Sequence, residues 1–521
     1  MKQICLSAVC AVLTATVVCF GQNRLSAEAL LYAGAFRLPD YTPYEHGWYW
    51  GGTAFTFYPH GDASGPEDGY PGSLFGTGHA WNMFVSEISI PAPVVSEGKD
   101  ISELPRAETL QPFTDVRQNL FVDGSGNDLF YEIIRAGIAY LPAQGTQTTG
   151  KLHMAWGQHY QEEQQDPSHM WCETDLSNPQ PAGPWYCGGY TNYVTCDYMF
   201  EIPRAWADQY APGYRLATGR FRDGLWGGRG PAVLAMKPRQ TDSPTEGDTV
   251  RTVIPLMLYG TQIPGNQHLH IEDYMRMNGF KEADEWVGGA WVTGDAGSAL
   301  LLAGTKGIGD CWYGLPDGTV WEEPYPQDPL NQRGWWCAEF SARIYFFDEG
   351  HLGRAAQGQM EPWQVQSYDS LDISQYLFGL HTEQQKHQIG SICYDRERNR
   401  LFVAEFLADE DKPVIHVWTI DDETGISCRA GATPSSMQLP GNYPNPFNSR
   451  TCVLFTADSP GTAELTVCDE AGREVKRSRL YASVPGTHRF LIDMSGMPTG
   501  IYLYTVRTQM RRETGRMVLI R

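Results

Sequence analysis

Residues 390–406, GSICYDRERNRLFVAEF, followed at 414–420 by VIHVWTI, hold the pattern from which the fold is read. A glycine opens a short apolar run, a polar turn follows, and a second apolar run leads through an acidic loop into a third. Short runs rich in apolar and aromatic residues suit half-buried, pleated strands. The unit recurs as GTAFTFYP (52–59) with SLFGTGH (73–79), GIAYLPAQG (137–145) with KLHMAWGQHY (151–160), GPAVLAMKP (230–238), and GAWV (289–292) with ALLLAGTKG (299–307). FVSEISIP (84–91), YMFEIP (198–203) and ARIYFFD (342–348) read as third strands. Strand, turn and strand repeated along a chain read as the blades of a β-propeller. The openings lie 85, 93, 59 and 101 residues apart, where a blade takes about 40–50. Long loops or further blades are therefore expected, about five to seven blades in all. A β-sandwich followed by further all-β domains is the competing architecture. Helix content should be low, with IPRAWADQY (202–210) the best short helix.

Composition fits an exported β protein. The 521 residues hold Gly 55, Pro 34, Trp 16, Tyr 27 and Phe 21, a turn-rich and aromatic-rich chain. The net charge of −22 argues against nucleic acid, whose phosphates need a basic partner. Residues 1–21 read as a secretory signal peptide: Lys2, then ICLSAVCAVLTATVVCF (4–20), then Gly21. No later segment is as long and apolar, so no transmembrane segment is expected in the mature chain. A propeller-like domain is expected over 28–424, and 425–441 (GISCRAGATPSSMQLPG) reads as a linker.

The tail has its own pattern. NYPNPFN (442–448), VCDEAGREV (467–475), PTGIYLYTV (498–506) and the closing RMVLIR occur in order. This set resembles the C-terminal sorting domain (type A) of type IX secretion cargo. Asn442, Pro444, Asn445 and Phe447 carry the opening motif, and Gly500 and Tyr502 the GxY motif. The resemblance implies a small immunoglobulin-like sandwich over 442–521, the type IX secretion machinery as partner, and passage through the periplasm to the cell surface or medium. The segment 443–521 carries eleven Lys+Arg against seven Asp+Glu, a positive module on an acidic chain.

Twelve cysteines are present, three of them in the signal peptide. An oxidising compartment permits disulfides. Cys172 and Cys187 flank one Pro/Gly-rich loop and Cys311 and Cys337 another, so each pair is a candidate staple.

No GxSxG, HExxH, P-loop or EF-hand motif is present. His268 and His270 alternate on one strand, without a third ligand to complete a metal site. Acidic runs at 67–70, 407–413 and 420–425 could hold Ca²⁺ through clustered carboxylates; no other cofactor is expected. The repeat places polar residues at similar offsets on second strands: His79, His159, Lys306 and Glu405. Arg220, Arg222, Asp223 and Arg229 lie beside the third copy, and Asp310 and Trp312 follow the fourth. On one rim such groups could bind an acidic sugar or do acid–base work. Aromatic clusters at 48–50, 156–160, 312–314 and 335–336 could stack on sugar rings. The expectation is a surface or secreted protein whose large domain binds an extracellular ligand such as a glycan. The alternatives are a carbohydrate-active hydrolase or lyase and a protein-interaction module.

Overall fold

A computed structural model describes residues 24–421 and 442–520, except 42, 44–45, 63–64, 66–69, 81, 119, 121–134, 146, 158–166, 191–193, 222–227, 239–248, 251–252, 263–268, 380–386, 444, 446, 448–449, 458, 460, 483–485, 495 and 509–511. The expected signal peptide and linker, and His159, Arg222, Asp223 and Pro444, lie outside the described residues. The chain forms two compact units that divide at 422/423.

In the first unit, strand β1 (Leu30–Arg37) is followed by successive antiparallel sheets. Sheet I holds β2 (Phe55–Tyr58), β3 (Ser73–Thr77), β4 (Val85–Ile88) and β5 (Thr109–Thr114). Sheet II holds β6 (Ala136–Leu141), β7 (Lys151–Trp156), β8 (His169–Glu173) and β9 (Ala182–Cys187). Sheet III holds β10 (Tyr198–Glu201), β11 (Leu216–Arg220), β12 (Ala232–Met236) and β14 (Val253–Met257), while β13 (Thr249–Val250) runs parallel to β9. A two-stranded ribbon, β15 (Thr261–Gln262) with β16 (Leu269–His270), precedes sheet IV. Sheet IV holds β17 (Glu285–Gly294), β18 (Gly297–Gly314), β19 (Gly334–Phe347) and β20 (Ser367–Asp372). Sheet V holds β21 (Ile389–Asp395), β22 (Arg400–Asp409) and β23 (Lys412–Ile420), and its outermost strand is β1, paired from Leu30↔Ile420 to Arg37↔Val414. Helix α1 (Arg204–Tyr210) forms where the sequence places it, burying Trp206.

The repeat is real, but its phase differs from the sequence reading in sheet III. GPAVLAMKP supplies β12, the third strand, and YMFEIP supplies β10, the first. The misreading has a physical source. Helix α1, not a tight turn, follows β10, so no hairpin signal marks it.

Each sheet buries both faces against its neighbours. One apolar cluster joins sheets I and II through Phe75, Ile138 and Trp156; another joins II and III through Ala155, Trp185 and Leu216. Phe200, Trp291 and Leu302 join III and IV; Ile344, Ile392 and Trp418 join IV and V. Phe36, Phe55, Phe402 and Val417 join V and I. The first strands also touch in series: β2 with β6, β6 with β10, β10 with β17, β17 with β21, and β21 with β2. Glycines allow this approach. A Cβ on Gly137 would lie 2.4 Å from the Tyr198 carbonyl carbon, and one on Gly288 would lie 2.7 Å from Ile392 N.

Cys311 and Cys337 form the expected disulfide. Cys172 and Cys187 do not pair, because Cys172 points into the I–II cluster and Cys187 into the II–III cluster, on opposite faces of sheet II. The strands β18 and β19 run on together past sheet IV to Gly314 and Gly334, with the disulfide partway along this extension.

The second unit has two antiparallel sheets. One orders β24 (Asn442–Tyr443), β25 (Arg450–Ala457) and β28 (Gly486–Asp493). The other orders β27 (Glu474–Ala482), β26 (Gly461–Cys468), β29 (Gly500–Arg507) and β30 (Arg512–Leu519). Both contribute to one core that includes Phe455, Phe490, Leu465, Tyr504 and Met517.

Two outcomes test this packing. Gly288→Val should cost about 1–3 kcal/mol, because the added atoms overpack the β17–β21 contact; urea unfolding measures it. The second concerns His153 and His169, which are 2% and 1% exposed. His153 faces Gln147 Oε1 at 3.3 Å, and His169 sits between the hydroxyls of Ser168 and Thr218 at 2.9 and 3.0 Å. Burial lowers the pKa of each to about 3. The unfolded chain protonates both near pH 6.5, whereas the fold resists until about pH 3. Stability is therefore lost as pH falls through that window, by up to about 1.4 kcal/mol per histidine per pH unit. Unfolding midpoints of the His153→Gln/His169→Gln variant should fall less steeply with pH than those of the natural chain.

Candidate functional site

Each first strand has a leading end, where it begins, and a trailing end, where it finishes. At the trailing end lies a cavity of about 330 Å³ lined from all five first strands. Its deeper wall is apolar, with Phe55, Ile138, Met199, Ala290 and Ile392. Its mouth is polar, with His60, Tyr140, Glu201, Arg396 and Glu397. A second hollow of about 710 Å³ adjoins it, sharing His60, Tyr140 and Pro142. This groove runs past Thr149, Glu173, Asp175, Asn178 and Gln180, a wall of hydroxyls, amides and carboxylates.

Local sequence sets these positions. Pro59, Pro142 and Pro203 follow the ends of β2, β6 and β10, and proline ends the ladder by removing a donor. The last polar or aromatic residues of these strands therefore project at the mouth. Tyr58, His60 and Tyr140 form an aromatic corner: Tyr58 meets His60 at 5.8 Å and Tyr140 at 4.9 Å, both edge-on. Burial raises the Tyr140 pKa to about 12, with the nearby Tyr58 and Glu201 adding to it, so its hydroxyl keeps its proton. Glu201 takes Arg215 Nη2 on Oε1 at 2.5 Å, and its Oε2 lies 3.5 Å from Arg396 Nη2.

The leading end is occupied by ion pairs. Arg135, just before β6, pairs with Glu285 and lies 4.0 Å from Asp197. His387 Nδ1 meets the same Glu285 oxygen at 2.7 Å, and Arg220 Nε lies 3.6 Å from Asp197. Phe221 lies under both guanidinium groups, at 4.4 and 5.0 Å. Burial works against the charge on Arg135; Glu285 and Asp197 outweigh it and raise its pKa.

The residues singled out in the sequence fall mainly at this leading end. His79, Arg220, Lys306 and Glu405 all sit where their second strands approach the start of the first. Their side chains are committed to structure. Lys306 bonds both oxygens of Asp284 at 2.9 and 3.0 Å. Glu405 is fully buried; it accepts the N–H groups of Phe378 and Gly379 and meets His416 Nε2 at 2.8 Å. His79 is buried, and its backbone N–H donates to Gly47. Arg229 pairs with exposed Asp273 at 2.6 Å. Asp310 and Trp312 lie on the β18–β19 extension, where the Trp312 indole N–H donates to Leu315 O. None of these seven lines the cavity or the groove. Trp48, Trp156 and Trp336 are core residues, and Trp50 is exposed. Among the described residues no three His, Cys, Asp or Glu side chains are grouped to hold a metal ion. In the 407–413 loop, Asp409 instead pairs with Arg37 and Lys412.

The second unit shows what the NYPNPFN motif does. Asn445 Nδ2 donates to Arg516 O at 3.0 Å, and its Oδ1 accepts Val518 N–H at 2.8 Å. Phe447 exchanges backbone hydrogen bonds with Val518 and Ile520, and its ring is buried. The motif thus pairs with the closing strand β30. Tyr502 donates its hydroxyl to Pro498 O, fixing the turn before Gly500. Asn442 lies in β24, paired with Val453.

Among curated proteins, none matches the chain. A solved structure of PorZ, described as an essential bacterial surface component of the type IX secretion system of Porphyromonas gingivalis, matches with 13% identity and a TM-score of 0.32. That match covers 87% of this chain and 50% of the PorZ chain, so this chain spans about half its length. Residues 442–520 match the family model of the secretion system C-terminal sorting domain.

Replacing Arg135 by Met should destabilise the first unit by about 3 kcal/mol, since Glu285 loses its guanidinium partner and Asp197 is left with Arg220 alone; denaturant titration reads it. Asn445→Ala should speed amide exchange at Val518, which loses its acceptor. With the latch and the family match in agreement, residues 442–520 are a type IX secretion C-terminal sorting domain, and the protein is exported to the cell surface or medium.

Proposed function

We propose that the exported protein carries a five-bladed β-propeller that binds a glycan in the cavity at the trailing end of its first strands. Sheets I–V are the blades, and the pairing of β1 with β23 closes the ring. The circular series of first-strand contacts and the five inter-sheet clusters support this closure.

The observation that carries the binding reading is the continuity of cavity and groove. A hollow with an aromatic corner continues into a trough of hydroxyl, amide and carboxylate groups. Sugars present apolar CH faces and a rim of hydroxyls, and such a surface offers partners to both. Three carboxylates, Glu201, Asp395 and Glu397, line the same cavity; Asp395 is taken up by Tyr70 and Arg398, which leaves Glu201 and Glu397 as a pair. A glycosidase needs such a pair, so hydrolysis is the second reading.

The test uses the mature full-length protein against neutral and uronate polysaccharides, recording retention and the release of new reducing ends. Retention without release is expected, weakened by Tyr140→Ala. Release of reducing ends lost in Glu201→Gln would make the protein a hydrolase. Failure to retain any polysaccharide would overturn the glycan reading and leave a protein partner as the ligand. Removal of residues 443–521 should leave the first unit folded but held in the periplasm, read by fractionation.

A further inference from the structure

We propose that Glu201 and Arg396 determine the specificity of the cavity by taking two neighbouring hydroxyls of an uncharged sugar between them. The inference rests on the reading of the cavity as a glycan site.

The two residues come from different sheets: Glu201 ends β10, and Arg396 follows β21. Each is anchored on its far side. Arg215 holds Glu201 Oε1, and Arg215 is itself fixed by Ile202 O at 3.0 Å and Gln144 Oε1 at 2.9 Å. Thr293 Oγ1 accepts from Arg396 Nη1. What remains is a donor, Arg396 Nη2, facing an acceptor, Glu201 Oε2, at 3.5 Å. A well-made N–H···O bond is about 2.7–3.2 Å long, so the facing atoms are only loosely joined. Their side chains are 35% and 28% exposed, both on the cavity wall.

A fixed donor beside a fixed acceptor matches a vicinal diol. One hydroxyl accepts from Nη2 while its neighbour donates to Oε2, and each protein group exchanges one loose contact for one short, charge-assisted bond. Charge excludes other ligands. An anionic sugar on Arg396 would also face Glu201 and Glu397, and a cationic one on Glu201 would face Arg396 and Arg215. The aromatic corner of Tyr58, His60 and Tyr140 offers a surface for the apolar face of the ring, and the groove beyond it takes the neighbouring units.

The experiment is calorimetric titration of the full-length protein with cellohexaose, laminarihexaose, mannohexaose and polygalacturonate. Arg396→Met and Glu201→Gln are measured beside the natural chain, with thermal unfolding as the check on folding. The expected result is binding of at least one neutral hexaose, insensitive to salt and weakened at least about tenfold in each variant. Neutral binding unchanged in both folded variants would overturn this inference and leave the glycan reading intact. Binding of polygalacturonate that strengthens in Glu201→Gln would overturn it in favour of an anionic ligand. Binding of none of the probes would overturn it together with the glycan reading. If Glu201→Gln fails to fold because Arg215 loses its partner, the more exposed Arg396→Met decides alone.

Discussion

The pairing of β1 with β23 is the constraint on which the first unit depends. It brings residues 30–37 alongside 414–420, so that nearly the whole unit lies between two hydrogen-bonded strands. Without β1, sheet V would expose the outer edge of β23, a row of unpaired backbone groups. The cluster joining sheets V and I would also lose Phe36. Every other inter-sheet cluster is assembled between sheets consecutive in sequence. This one joins the last sheet to the first and carries the largest loop-closure cost.

Close packing near the first strands explains the glycine pattern. Gly137 and Gly288 stand where neighbouring backbones come within reach of a missing Cβ. The sequence reading took Gly137 as the opening of a repeat unit and Gly289, next to Gly288, as another; the physical role of Gly137 and Gly288 is proximity between sheets. The cavity lined from all five first strands lies toward the trailing end, where the strands finish and prolines divert the chain.

Much of the strand content was legible because apolar runs bounded by polar turns report local structure. YMFEIP and GPAVLAMKP were assigned to the wrong positions in their sheet because a helix and a long loop intervene, and local pattern says nothing about which strand is innermost. The Cys172–Cys187 pairing failed for a related reason: flanking one loop does not place two side chains on one face. His79, Arg220, Lys306 and Glu405 each lie where a second strand approaches the start of a first strand, but the charges there are taken up by Asp197, Asp284 and the 378–379 backbone. Residues at the cavity mouth left a fainter signal. Tyr140 and Glu201 each stand two residues before a proline, and His60 follows one; Arg396 had no such mark, because its partner Glu201 lies nearly two hundred residues away. The sorting motif was legible as a family pattern, whereas its physical role as a clasp on β30 needed the fold.

The disulfide on the β18–β19 extension has a consequence for life outside the cell. Cys311 and Cys337 face each other across the two strands, and the 25 residues from 312 to 336 form a closed loop beyond them. That loop carries exposed Val320, Tyr325 and Leu330, the kind of accessible segment that extracellular proteases cut. A cut there would open the loop without parting the chain. Both sides of the break would stay joined through the two sulfurs, and sheet IV would keep all four of its strands. The covalent bond thus makes this exposed loop expendable, and confines damage there to one side of the staple.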